Sequence, residues 1–134
     1  MIDPMDILKK EMLNKKNWAV LGATDKKERF GYKILKKLNE LNYNVVGINP
    51  KYKSIDSIEI VSNLKSSPFE IDCVNFIVAP NISFDILDEV AECGIKNVWF
   101  QPGSFDEDVI KKAESLKLNI VYFNCLYVAL EEIY

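Results

Sequence analysis

Two short loops carry the residues best suited to chemistry. The first, Gly22-Ala23-Thr24, follows an apolar run and leads through Lys26, Lys27 and Arg29 into an amphipathic stretch. A glycine there lets the backbone turn tightly against an anion. A helix opening just beyond would add unpaired N–H groups and the positive end of its dipole. Neither the Gly-x-Gly-x-x-Gly fingerprint nor a Walker A motif is present in this loop. The second loop, Asn49-Pro50-Lys51-Tyr52, follows a run that reads as a strand. A NAD site places a carboxylate at that point to hold both ribose hydroxyls. Asn49 can hydrogen-bond there without repelling a phosphate, Pro50 offers a rigid apolar edge to adenine, and Lys51, helped by Lys53, supplies charge. The set selects against NAD and towards an adenosine phosphorylated on its 3′-hydroxyl, with the 2′-phosphate of NADP the nearest competitor. Phe30 and Tyr52 flank the two loops and are candidates to cover the base. Taken singly, the first loop reads equally as a solvated turn around a structural glycine, and Asn-Pro is a common turn former. The functional reading requires that both loops share one edge of a sheet.

The rest of the chain narrows the options. There is no histidine, which removes Ser-His and Cys-His nucleophilic pairs and phosphohistidine chemistry. Cys73, Cys93 and Cys125 are widely spaced and odd in number, so the sequence suggests neither a zinc site nor a disulfide framework, and it fits a reducing, cytoplasmic setting. Cys73 and Cys93 read as packing residues. The net charge of −3 offers no global field for nucleic acid or an anionic membrane, and no apolar stretch approaches the length of a membrane span. The run Asp106-Glu107-Asp108 reads as first-turn helix carboxylates, where the dipole favours them, and not as an acid/base pair.

Apolar runs without alternation, separated by amphipathic stretches, position these loops. Strands are expected at 17–21, 43–48, 73–78, 97–100 and 119–123, with a shorter one near Ile58–Val61. Helices are expected after Asp3-Pro4, with Asp6 reaching back to the cap, over Ile34–Leu41, after Ser83, after a Ser104–Glu107 capping box, and in the tail beyond Cys125. Trp99, Phe76 and Phe100 are assigned to the core. The pattern gives a single α/β domain of Rossmann type: about five parallel strands with helices on both faces, residues 17–134, preceded by an N-terminal helical extension over 1–16. Ligands of such sheets lie at the carboxyl ends of strands where the strand order reverses.

"WAVLGAT…R" (18–29), "YNVVGINPKY" (43–52), "NVWFQPGS" (97–104) and the late Cys125 resemble the stand-alone CoA-binding domain family, which is similar to the CoA-binding domain of the succinyl-CoA synthetase alpha subunit. The resemblance runs from about Asn17 to Ala129. It implies that Gly22, Ala23 and Thr24 cradle the CoA pyrophosphate, with Arg29 paired to phosphate. Asn49, Pro50 and Lys51 would hold the 3′-phosphate end, and Ala79 and Pro80 would line the path of the pantetheine arm. Three positions depart from the family pattern. Gly31 stands where a serine is usual, "VAPNIS" stands where arginines are frequent, and Lys117 replaces a glycine.

The resulting expectation is a protein that binds coenzyme A or an acyl-CoA and has no catalytic residues of its own: a carrier, sensor or regulatory protein. The alternatives are a nucleotide-binding oxidoreductase using NADP and a partner-dependent subunit of an acyl-CoA ligase. A homodimer through the extra helix is open, and so is a mixed disulfide of Cys125 with CoA, against its packing as a small hydrophobe. A valine at Gly22 is expected to displace the phosphate and leave the sheet intact, unless the glycine serves only the turn.

Overall fold

Four- and five-residue apolar runs become strands here because helices cover both of their faces. The computed structural model describes residues 3–134. Helix α1 (Pro4–Leu13) leads to β1 (Asn17–Leu21), α2 (Phe30–Glu40) and β2 (Asn44–Ile48). A hairpin of β3 (Ser54–Ile55) and β4 (Ile58–Val61) and a short 3₁₀ turn (Leu64–Ser66) precede β5 (Cys73–Phe76). The chain ends with α3 (Pro80–Glu92), β6 (Asn97–Phe100), α4 (Glu107–Ser115), β7 (Asn119–Val121) and α5 (Leu126–Ile133). The sheet order is β3-β4-β2-β1-β5-β6-β7, and every pairing is parallel except the β3–β4 hairpin. This is the expected parallel α/β sheet, widened by the antiparallel edge strand β3, which two residues in a polar connection did not announce.

Alternate residues divide the core. Trp18, Val20, Trp99 and Val121 pack with Ile34, Leu35, Leu38, Leu126 and Leu130, under α2 and α5. Ala19, Leu21, Phe76 and Phe100 point to the other face and pack with Leu87, Val90, Val109 and Ala113 of α3 and α4. Trp99, Phe76 and Phe100 are core residues, as expected. Helix α1 joins the first layer through Met12 and Leu13.

Several boundaries differ from the expectation. β5 stops at Phe76 and β7 at Val121, two residues early in each case, because the chain leaves the sheet plane there to enter its next helix. α3 starts at Pro80, not after Ser83. Proline's fixed φ suits a first helical position, and Ser83 lies inside the helix with its buried hydroxyl unpartnered among the described residues. At α1, Asp3 accepts from the Met5 N–H at 2.9 Å, and Asp6 contributes its own N–H to the Asp3 carbonyl at 2.9 Å. At α4 the cap is Asp106, which accepts from the Val109 N–H at 2.9 Å, while Ser104 donates to the Gln101 carbonyl at 2.7 Å. Cys73 is buried as expected, but Cys93 is exposed, since it caps the carboxyl end of α3 beside Gly94.

The capping assignment is testable. Asp106→Ala should lower unfolding free energy by about 1 kcal/mol, the usual value of an N-cap side chain, while Asp106→Asn should keep most of it. Urea denaturation of the two variants measures the difference.

Candidate functional site

The strand register determines whether the two loops meet. Leu21 pairs with Ile48 on one side and Phe76 on the other, and Phe76 pairs with Phe100. Asn49, Gly22, Ile77 and Gln101, each one residue past its strand, therefore form a single row along the carboxyl edge. The order reverses at β1, with β2 on one side and β5 on the other. Helices α2 and α3 leave this point on opposite faces of the sheet.

Gly22 has φ of +100°, and a Cβ there would lie 2.7 Å from the Ile77 carbonyl oxygen and 3.0 Å from Val78 Cγ1. Gly31 is buried in the first turn of α2, and a Cβ on it would collide with the Gly22 carbonyl oxygen. This explains the absence of a serine at that position: no side chain fits between helix and loop. Gly47 in β2 is the third close approach, since a Cβ there would meet Ala23 Cβ at 2.7 Å. Sequence reading passed over Gly47, and its one available signal was a glycine inside a strand pattern.

The second loop is tied to the first. Asn49 donates to the Ala23 carbonyl at 2.9 Å and accepts from the Lys51 N–H at 2.9 Å. Tyr52 donates to Asp25 at 2.9 Å and lies 3.4 Å from the Thr24 hydroxyl, which accepts from the Lys26 N–H at 3.3 Å. Of the three amides expected to form a cradle, that of Gly22 donates to the Ile48 carbonyl at 3.2 Å. Those of Ala23 and Thr24 have no acceptor among the described residues.

Above this frame is a cleft of about 450 Å³, lined by Gly22, Thr24, Lys26, Arg29, Phe30 and Ile77, with Glu28 its one carboxylate. Arg29 stands at the N-cap of α2, which has no side-chain cap and no acid in its first turn. α3 begins the same way, with Ala79 at the N-cap and Pro80 at the first position. By contrast, α1 and α4 carry aspartate caps and first-turn acids. Lys26, Arg29, Lys51 and Lys53 form no ion pair among the described residues. Phe30 is 44% exposed beside the cleft; it packs edge-on against Tyr127 at 6.3 Å and carries the Lys33 ammonium 5.3 Å from its ring centre. A larger hollow, about 520 Å³ beside Ile71 and Gly94, lies at the opposite, amino-terminal edge, between the 3₁₀ turn and the carboxyl end of α3.

The Trp-x-Gln-x-Gly segment acts as a clamp. Trp99 donates to the Asn124 carbonyl at 2.9 Å, and Gln101 accepts from the Leu126 N–H at 2.6 Å while its amide lies 3.3 Å from Cys125 Sγ. These bonds satisfy the start of α5 and hold Cys125 half-buried at the carboxyl edge. Lys117 takes φ of +60°, doing with a side chain what the usual glycine does without one. The surroundings of Tyr32 lie outside the cleft: its hydroxyl donates to Asp56, and that bond, with Lys36 at 3.5 Å, holds the Asp56 carboxyl below its ordinary range.

A parallel sheet reversing at β1, with two helix N-termini and a cleft at the reversal, defines a Rossmann-like domain. The profile of the CoA-binding domain family matches residues 16–131, and the chain belongs to that family. The ADP-forming acetate–CoA ligase of Methanocaldococcus jannaschii is 31% identical over 120 residues, which cover 83% of this chain. This chain corresponds to 17% of that ligase's length. The Bacillus subtilis protein YneT is 25% identical over 121 residues, 90% of either chain. A solved structure from Thermus thermophilus shares the fold, with a TM-score of 0.87 over 98% of this chain and 100% of that one at 24% identity.

The geometry at Gly22 revises the expected effect of a substitution there. Gly22→Val should not leave the sheet intact. The left-handed backbone alone costs about 1–3 kcal/mol for a side-chain residue, and the contact with the Ile77 carbonyl adds to it. Thermal denaturation should show a clear loss of stability in Gly22→Val, and an unchanged midpoint would contradict this packing.

Proposed function

We propose that the cleft over Gly22 binds coenzyme A or an acyl-CoA, and that the chain by itself is a carrier, sensor or regulatory protein and not a catalyst. The observation that carries the proposal is the pairing of the uncapped α2 N-terminus and Arg29 with a neighbouring loop that holds Lys51 and lacks a carboxylate. The amides of Ala23 and Thr24 and the Arg29 side chain meet the pyrophosphate. Pro50 and Phe30 flank adenine, with Tyr52 holding the loop below. Lys51 meets the 3′-phosphate. Asn49 keeps the two loops at a constant separation through its bonds to Ala23 and Lys51. Ala79 and Pro80, at the start of α3, flank the route of the pantetheine arm.

Magnitudes favour several contacts acting together. Micromolar affinity needs about 8 kcal/mol, whereas a helix dipole contributes roughly 0.3–2 kcal/mol and a hydrogen bond to a charged group about 1.5–3 kcal/mol. Neither the helix end nor one lysine suffices. A second reading, a partner-dependent subunit of an acyl-CoA ligase, is favoured by the ligase segment that matches this chain. Without histidine the chain would supply the CoA site, and the partner the phosphorylated residue.

Calorimetry with CoA, dephospho-CoA, NAD and NADP tests the ligand. CoA should bind best, and Lys51→Ala should weaken it by about 1.5–3 kcal/mol with dephospho-CoA almost unaffected. Equal affinity of the parent protein for CoA and dephospho-CoA would remove the role given to Lys51. Purified protein should also fail to turn over acyl-CoA substrates. Sustained turnover surviving Cys125→Ser would rule out the non-catalytic reading.

A further inference from the structure

Phe123 combines two properties that rarely occur together. Its φ is +61°, a left-handed backbone that a bulky aromatic seldom adopts, and it is 75% exposed. Burial therefore does not explain the strain. The ring is held edge-on by Phe105 at 5.1 Å and packs against Tyr122 at 4.9 Å, and Phe105 and Tyr122 lie 5.4 Å apart. Together with Ile110 of α4 these rings wall a pocket of about 450 Å³, within the roughly 300–1,000 Å³ typical of small-molecule sites.

We infer that this aromatic pocket receives the acyl chain of a CoA thioester whose acyl group is apolar and carries no terminal charge. The inference rests on the binding of CoA at the Gly22 cleft. Phe105 follows β6 and Phe123 follows β7, so the pocket opens from the same carboxyl edge as the cleft. β7 is three strands from β1, about 14 Å at the usual spacing. A pantetheine arm has about a dozen bonds between pyrophosphate and sulfur, and an extended chain gains roughly 3.3–3.6 Å for every three. The arm is as long as that strand-to-strand separation, so an arm extended along the carboxyl edge carries the thioester toward the pocket mouth and the acyl chain into it. The rim sets the charge preference. Asp106, Glu107 and Glu114 line the pocket, and the one cation among its lining residues, Lys111, is paired to Glu107 at 3.0 Å. A succinyl or other carboxylate-ended chain meets a net negative rim.

Calorimetry on the full chain with free CoA, hexanoyl-CoA and succinyl-CoA tests the inference. Hexanoyl-CoA should bind at least tenfold tighter than free CoA, and succinyl-CoA no tighter than free CoA. Phe123→Ala, at a position 75% exposed, should abolish the hexanoyl gain and leave free CoA affinity unchanged; Phe123→Trp should keep the gain. CoA binding with no hexanoyl gain, or a gain that survives Phe123→Ala, would overturn this inference while leaving the cleft assignment standing. No binding of any CoA species would refute the cleft assignment and this inference together. Sedimentation of the same proteins covers the remaining occupant: a dimer dissolved by Phe123→Ala, with no acyl preference, would assign the pocket to a second copy of the chain.

Discussion

At the exit of β1 three glycines let neighbouring segments approach more closely than a side chain would allow. Gly22 sits against the Ile77 carbonyl on the β5 side, and Gly31 brings the first turn of α2 down onto the Gly22 carbonyl. On the third side Gly47 admits Ala23, whose carbonyl the Asn49 side chain then fastens. Each approach is closer than a Cβ would permit. The direction of α2, and with it the point at which its free N–H groups emerge, follows from this contact. Since the sheet order reverses at the same strand, the opening left between α2 and α3 lies directly over it.

The electrostatics follow the same arrangement. The chain carries a net charge of −3, yet its acids are not spread evenly. α1 and α4 hold aspartate caps and first-turn carboxylates, which satisfy their own dipoles. α2, which lines the cleft, and α3, which starts from the neighbouring strand β5, hold neither. Their positive ends remain available to a ligand, and the ungripped cations Lys26, Arg29 and Lys51 are on the same edge. Such a site needs no overall positive charge, because the field of a helix end acts within its first turn. Glu28 and Asp25 temper it, the latter through its bond to Tyr52.

The Trp99–Gln101 segment plays a mechanical part. Gln101 stands in the same row as Gly22 and Asn49, yet its side chain turns to the start of α5. That helix packs on α2 through Tyr127 and Phe30, so the clamp steadies the outer wall of the cleft at a distance. It also holds the turn from which Phe123 projects.

The apolar runs, their helical intervals and the two loops with glycine and Asn-Pro were legible in the amino-acid order, because backbone preference and hydrophobic period act over a few residues. Those features determined the α/β class, the family and the absence of a ribose-binding carboxylate. Local signals misled where two residues competed for one task. Ser104 and Asp106 can both cap α4, and the carbonyl of Gln101 decides between them by taking the serine hydroxyl. Ser83 lost the start of α3 to Pro80, and Cys93 looks like a packing residue until the end of α3 is located at the surface. Only the tertiary structure set Ile77 beside Gly22, closed Gly31 to any side chain and left Phe123 strained and exposed. These outcomes depend on strand order and register between segments far apart in the chain, and a local pattern of residue types does not encode that geometry.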